Sequence, residues 1–124
     1  MAIPQARLLI AGICSAFVLV TGIILTRRGK PYAPLLFNVH KLIALGALAL
    51  AVVTVVQVNR VAPLAPPLPT AVVVTASLSA VTLASGGLAN VESVPMVVIW
   101  LHRSTTFLTL ASAAAIVLLM TRGG

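Results

Sequence analysis

Four long apolar runs, broken only by short stretches of Pro, Gly and basic residues, dominate this chain and leave it one class of fold. They cover about residues 6–26, 35–58, 70–90 and 96–121. Each holds ~20 residues or more, which spans a hydrocarbon core ~30 Å thick at ~1.5 Å per helical residue. Val, Ile and Thr are abundant and would suggest strands in water. In lipid, a run of this length satisfies its own backbone groups only as a helix. The chain is 60% hydrophobic and 7% charged, against ~25% charged in soluble domains. A water-soluble globule of 124 residues cannot hide that much apolar sequence, because small domains bury too little of their surface. Disordered chains are polar and charge-rich, so disorder is excluded as well. The expected fold is all-α: one transmembrane domain over residues 1–124, an up-down-up-down four-helix bundle whose short loops make neighbours antiparallel.

The breaks have their own chemistry. The first run stops at Arg27-Arg28-Gly29-Lys30-Pro31 and the second at Asn59-Arg60. Pro63, Pro66, Pro67 and Pro69 then form a stiff connection, and Pro95 opens the fourth run at a favoured first-turn position. The first run has the Arg7 flank of a signal peptide, but it is too long and no small-x-small cleavage site follows it; it is read as a true span. A net charge of +7 in a soluble protein would suggest nucleic acid. Here the cations sit at segment ends without aromatic interleaving, the pattern of lipid headgroup contact and orientation, so no nucleic-acid partner is expected. Arg27, Arg28, Lys30, Lys41 and Arg103, together with Glu92, fall on one side of the expected topology; Arg7, Arg60 and Arg122 fall on the other. That bias makes the first side cytoplasmic and puts both termini outside, as in a bacterial inner membrane. Cys14 is the sole cysteine, which excludes an internal disulfide and Cys-x-x-Cys chemistry; it is read as a small apolar residue.

The only two histidines lie inside spans. His40 is five residues past Leu35 and His102 is six past Met96, so on parallel helices they share a depth near one surface. Helices two and four can lie diagonally in a four-helix bundle. Two imidazoles opposed across its centre are then the expected axial pair, and metal ligands, of one non-covalent haem b. Gly22 and Gly86 stand four residues before the expected ends of spans one and three. Both come level with the histidines, where a flat macrocycle needs its neighbours to withdraw their side chains. Small-residue stripes (Ala11 and Ser15; Ala44, Ala47 and Ala51; Thr75, Ser79 and Thr82; Thr105, Thr106, Thr109 and Ala113) continue below and allow close helix packing.

A weak internal repeat joins these residues. Thr21-Gly22 followed by His40-Lys41 echoes Ser85-Gly86 followed by His102-Arg103. A cation beside each ligand suits the two haem propionates, and also suits snorkelling to the interface. Tyr32 and Trp100 are read as interfacial belt aromatics. His40, His102, Gly22 and Gly86 together give an arrangement that resembles small membrane b-type cytochromes. The resemblance is architectural and covers all four spans. It implies electron transfer, with a quinone or a neighbouring membrane redox subunit as partner and a homo- or hetero-oligomer as assembly. Those families usually stack two haems on two His per ligand helix; this chain has ligands for one.

The competing expectation is a cofactor-free or pigment-binding accessory subunit of a larger membrane complex. A proton-coupled exporter is disfavoured because the sole acid, Glu92, lies in a loop. A hydrolase is poorly supported, because a chain without Asp offers no Ser-His-Asp set. A Zn or Cu site wants three or four protein ligands, more than two histidines provide. An electron-transfer protein is therefore expected in preference to a stand-alone enzyme.

Overall fold

A computed structural model describes residues 5–122. These form four α-helices: α1 (Gln5–Arg28), α2 (Pro34–Val61), α3 (Leu68–Leu88) and α4 (Met96–Arg122). No strand occurs among the described residues. All four helices are long and apolar enough to cross a membrane.

Their ends follow from local chemistry. Arg27 and Arg28 occupy the last turn of α1, where cations oppose the partial negative charge of the final carbonyls. Gly29 then takes φ 71°, a left-handed conformation that stops a helix at little cost only for glycine. Pro34 opens α2 at its first turn, where a missing N–H costs nothing. The same helix ends where Ala62 turns extended, its N–H still bonded to Val58 O at 3.0 Å; Pro63 prevents another turn. Pro69 lies inside the first turn of α3, so the Pro-rich connection is shorter than the residue pattern suggests. Pro95 precedes α4 and accepts from Val98 N–H at 3.0 Å.

The described residues fall into two compact units, residues 5–63 and 64–122. Each is a helical hairpin, α1 with α2 and α3 with α4. In the second hairpin, side-chain pairs run Thr75–Ser112, Thr82–Thr109 and Ser85–His102. The first number rises as the second falls, so α3 and α4 are antiparallel. Most of these hydroxyls also donate to the carbonyl one turn back, among them Thr75 to Ala71 O and Thr82 to Leu78 O. Their oxygens thereby stay able to accept across the interface. Among the described residues no buried side-chain polar atom lacks a partner.

The buried residues are a mixed set, apolar Leu25, Phe37, Ala89 and Ile116 beside small hydroxyl residues. Thr21, Ser79, Ser85 and Thr105 are buried, while Leu9, Phe17, Leu35, Leu42, Val97 and Phe107 are exposed. Small hydroxyl residues let the two helices of a hairpin approach closely.

Candidate functional site

Both hairpins carry the same local arrangement near their connecting loops. In each, a glycine on the first helix faces a histidine on the second. His40 stands six residues after Pro34, the first residue of α2, and His102 stands six after Met96, the first of α4. The glycines are less symmetric when counted from helix ends. Gly22 is six residues before Arg28, and Gly86 is two before Leu88. The connections make up the difference: residues 29–33 join the first hairpin and residues 89–95 the second. Helix length and loop length trade against each other, and the Gly–His pairing survives.

The glycines give room to the imidazoles. A Cβ placed on Gly22 would lie 3.3 Å from His40 Cε1, and one on Gly86 only 2.7 Å from His102 Cε1 and 2.9 Å from its Nδ1. The sequence suggested that this space serves the passage of a macrocycle. In the structure the ring of the same hairpin's histidine fills it. Gly12, Gly46 and Gly87 have nothing comparable within 4 Å.

Each imidazole is held through Nδ1. His102 Nδ1 lies 2.9 Å from the backbone oxygen of Thr82. A carbonyl only accepts, so Nδ1 carries the proton and donates it; Ser85 Oγ, at 3.5 Å, is a weaker second neighbour. His40 Nδ1 lies 2.8 Å from Thr21 Oγ1. The Thr21 hydroxyl is directed to Phe17 O at 2.7 Å, with Val18 O at 3.2 Å. With its proton on Phe17 O, Thr21 accepts from His40 Nδ1–H; in the other tautomer it donates to Nδ1. A neutral imidazole protonated at Nδ1 carries its lone pair on Nε2. An Nδ1–H fixed to a backbone or side-chain oxygen is also how a metal-binding histidine is oriented and made more basic. Thr21, the partner of His40, and Ser85, the weaker neighbour of His102, are both buried.

The neighbouring cations repeat as well. Lys41 Nζ lies 5.2 Å from the centre of the Phe37 ring, and the Arg103 guanidinium 5.8 Å from that of Trp100. Both aromatics precede their histidine in the chain, so both cations reach back toward the loop end of the hairpin. Tyr32 stacks on Phe37, and Trp100 is well exposed beside its arginine. The structure thus brings Gly22 to His40 and Gly86 to His102, and sets Lys41 and Arg103 on aromatic rings.

The acceptor roles of Thr21 and of the Thr82 carbonyl escaped the sequence reading. A hydroxyl residue immediately before the glycine in both halves was the signal for the first. A backbone carbonyl leaves no signal in a sequence.

Two imidazoles are a small donor set. Among the described residues no three His, Cys, Asp or Glu side chains gather as a metal site would require. Each hairpin by itself offers one imidazole donor, too few for a metal held by protein ligands alone. Known protein families, curated proteins and solved structures give no match to this chain, and its functional reading rests on this geometry.

Proposed function

We propose that this chain is a membrane-embedded b-type cytochrome holding one non-covalent haem between His40 Nε2 and His102 Nε2, one ligand from each hairpin. The observation that carries this reading is the twice-repeated imidazole, pinned through Nδ1 and set against a glycine. Residues doing only headgroup anchoring have no need of a fixed tautomer. Membrane insertion as an up-down-up-down bundle is part of the proposal. It is supported by helices of 24, 28, 21 and 27 residues, each ~30 Å or longer, and by large apolar side chains exposed along them. The basic bias places the loops after α1 and α3 on the cytoplasmic side.

Bound haem supplies a one-electron couple, exchanged with a quinone or an adjacent redox subunit. The chain's own residues set the conditions for it. Thr21 and the Thr82 carbonyl fix ring orientation and raise Nε2 basicity. Lys41 and Arg103 place positive charge at the loop end, where propionates would emerge. The test is an absorption spectrum of the purified protein, oxidised and dithionite-reduced. A sharp reduced α-band with a low-spin ferric form is expected. Purified protein without a chromophore, and unable to take up added haem, would establish a cofactor-free subunit; a chlorophyll-type spectrum would establish a pigment protein.

Two predictions concern tuning. Thr21→Val keeps the shape and removes the acceptor of His40 Nδ1–H. The loss of a partner of this kind typically weakens metal binding by ~10–100-fold, and haem retention should fall by that order. With Nε2 less basic the ferric form is less stabilised, so the midpoint potential should rise. The cations act in the opposite sense. In Lys41→Gln and Arg103→Gln a positive charge is lost, which favours the ferric state. At an effective dielectric near 20 and a separation of roughly 10 Å the interaction is about 1.7 kcal/mol, reduced by ionic screening at the boundary. Since ~59 mV is a tenfold change for one electron, redox titration should show midpoints lower by some tens of millivolts.

A further inference from the structure

We infer that the loop end of the first hairpin is a binding site for the phosphate headgroups of anionic phospholipids. This inference rests on the membrane part of the proposal above and not on the haem. Arg27 and Arg28 form the last turn of α1, Lys30 follows in the connection, and Lys41 stands early in α2. Tyr32 and Phe37 stack with ring centres 5.7 Å apart and planes within 3°. Lys30 Nζ lies 6.0 Å from the Tyr32 ring centre and Lys41 Nζ 5.2 Å from that of Phe37. The stacked rings therefore gather two ammonium groups at the end of the hairpin that already carries two guanidinium groups.

Residues 1–63 contain Arg7, Arg27, Arg28, Lys30, Lys41 and Arg60 and no Asp or Glu. Backbone carbonyls and π-faces can accept from these cations, but they do not neutralise charge. No carboxylate side chain lies in residues 1–63, and the chain's sole acid side chain, Glu92, can offset at most one of these six cations. The counter-charge comes from outside the hairpin. Helices of 24 and 28 residues span the hydrocarbon core, which sets the cluster at the depth of the lipid phosphates. Phosphate esters accept from guanidinium and ammonium groups alike, and a stacked aromatic pair is at home at that boundary.

The test is native mass spectrometry of the full-length protein in detergent micelles, titrated with phosphatidylglycerol, with phosphatidylcholine and, separately, with inorganic phosphate. Wild type should retain phosphatidylglycerol several-fold more tightly than phosphatidylcholine. At about fivefold per surface cation, Arg27→Gln/Arg28→Gln/Lys30→Gln should lose on the order of 100-fold in phosphatidylglycerol affinity. Arg27→Lys/Arg28→Lys/Lys30→Arg should keep it, which separates charge from folding. Arg60→Gln, at the far end of α2, should also keep it. Equal retention of both lipids by wild type, or undiminished phosphatidylglycerol binding by the glutamine variant, overturns the inference. Inorganic phosphate that displaces the lipid at comparable concentration overturns the lipid as occupant. Carbonate extraction reports membrane integration on its own: a protein released by carbonate would sink the membrane reading first.

Discussion

His40→Ala and His102→Ala are each expected to abolish the low-spin ferric spectrum. In the proposed bis-imidazole site no larger donor set stands in reserve, because among the described residues no three His, Cys, Asp or Glu side chains gather. Removing one Nε2 leaves a single protein ligand. The remaining pigment should be high-spin and largely lost on purification. The scaffold should survive, because the interhelical hydrogen bond lost with His40 is worth only about 0.6 kcal/mol in a membrane helix pair. A rescue experiment separates ligation from folding. In His40→Ala the missing ring leaves a gap against Gly22, whose bare backbone already accommodates an imidazole edge at 3.3 Å from an ideal Cβ. Added imidazole should enter that gap and restore the low-spin bands. If both alanine variants keep the wild-type spectrum, neither histidine is an iron ligand and the cytochrome reading fails.

The helices were legible in the sequence as four long apolar runs, each long enough for a helix that crosses a membrane. Their ends were legible only where a residue forbids continuation. Gly29 and Pro63 do so. Arg27, Arg28, Asn59 and Arg60 do not, and α1 and α2 run through them to ends set by Gly29 and Pro63. Pro69 looks like a loop residue yet lies in the first turn of α3, where its missing N–H is no loss. Depth counted from expected span ends gave four residues for each glycine; the helix ends give six and two. The repeated pattern set each glycine level with the histidines but gave its space to a macrocycle; the imidazole of the same hairpin occupies it. Pairing depends on hairpin register, and the longer loop after α3 compensates for its earlier end. What the pattern did not carry is the anchoring of Nδ1. One acceptor is a side chain with a usual helix-interior role, already bonded one turn back; the other is main chain. The position of the two cations on Phe37 and Trp100 was equally hidden, although an aromatic residue two or three positions before each histidine was available to be read.

Gly86→Ala should damage the site far more than Gly22→Ala. An alanine Cβ at position 86 would stand 2.7 Å from His102 Cε1 and 2.9 Å from Nδ1, while carbon atoms rest at ~3.5–4.0 Å. The ring has to move by most of an ångström. It is held by a 2.9 Å bond to the Thr82 carbonyl, so the shift breaks that bond and turns Nε2 away from its direction. At position 22 the closest approach is 3.3 Å and Nδ1 is already 3.9 Å away; a few tenths of an ångström suffice, and the bond to Thr21 persists. Overpacking of the first kind typically costs ~1–3 kcal/mol. Haem retention should therefore fall about tenfold or more in Gly86→Ala and only slightly in Gly22→Ala. Gly87→Ala is the control, since nothing lies within 4 Å of its added carbon and alanine favours a helix by ~1 kcal/mol over glycine. The clash is also measurable without haem. Gly86→Ala should lower the thermal stability of the detergent-solubilised apoprotein, and the same change in a His102→Ala background should raise it, because the ring it strikes is gone. That reversal of sign in a double-mutant cycle belongs to direct contact between residues 86 and 102. If Gly86→Ala is as harmless as Gly87→Ala in the wild-type background, the imidazole does not rest against this glycine, and the shared geometry of the two hairpins is lost as support for the site.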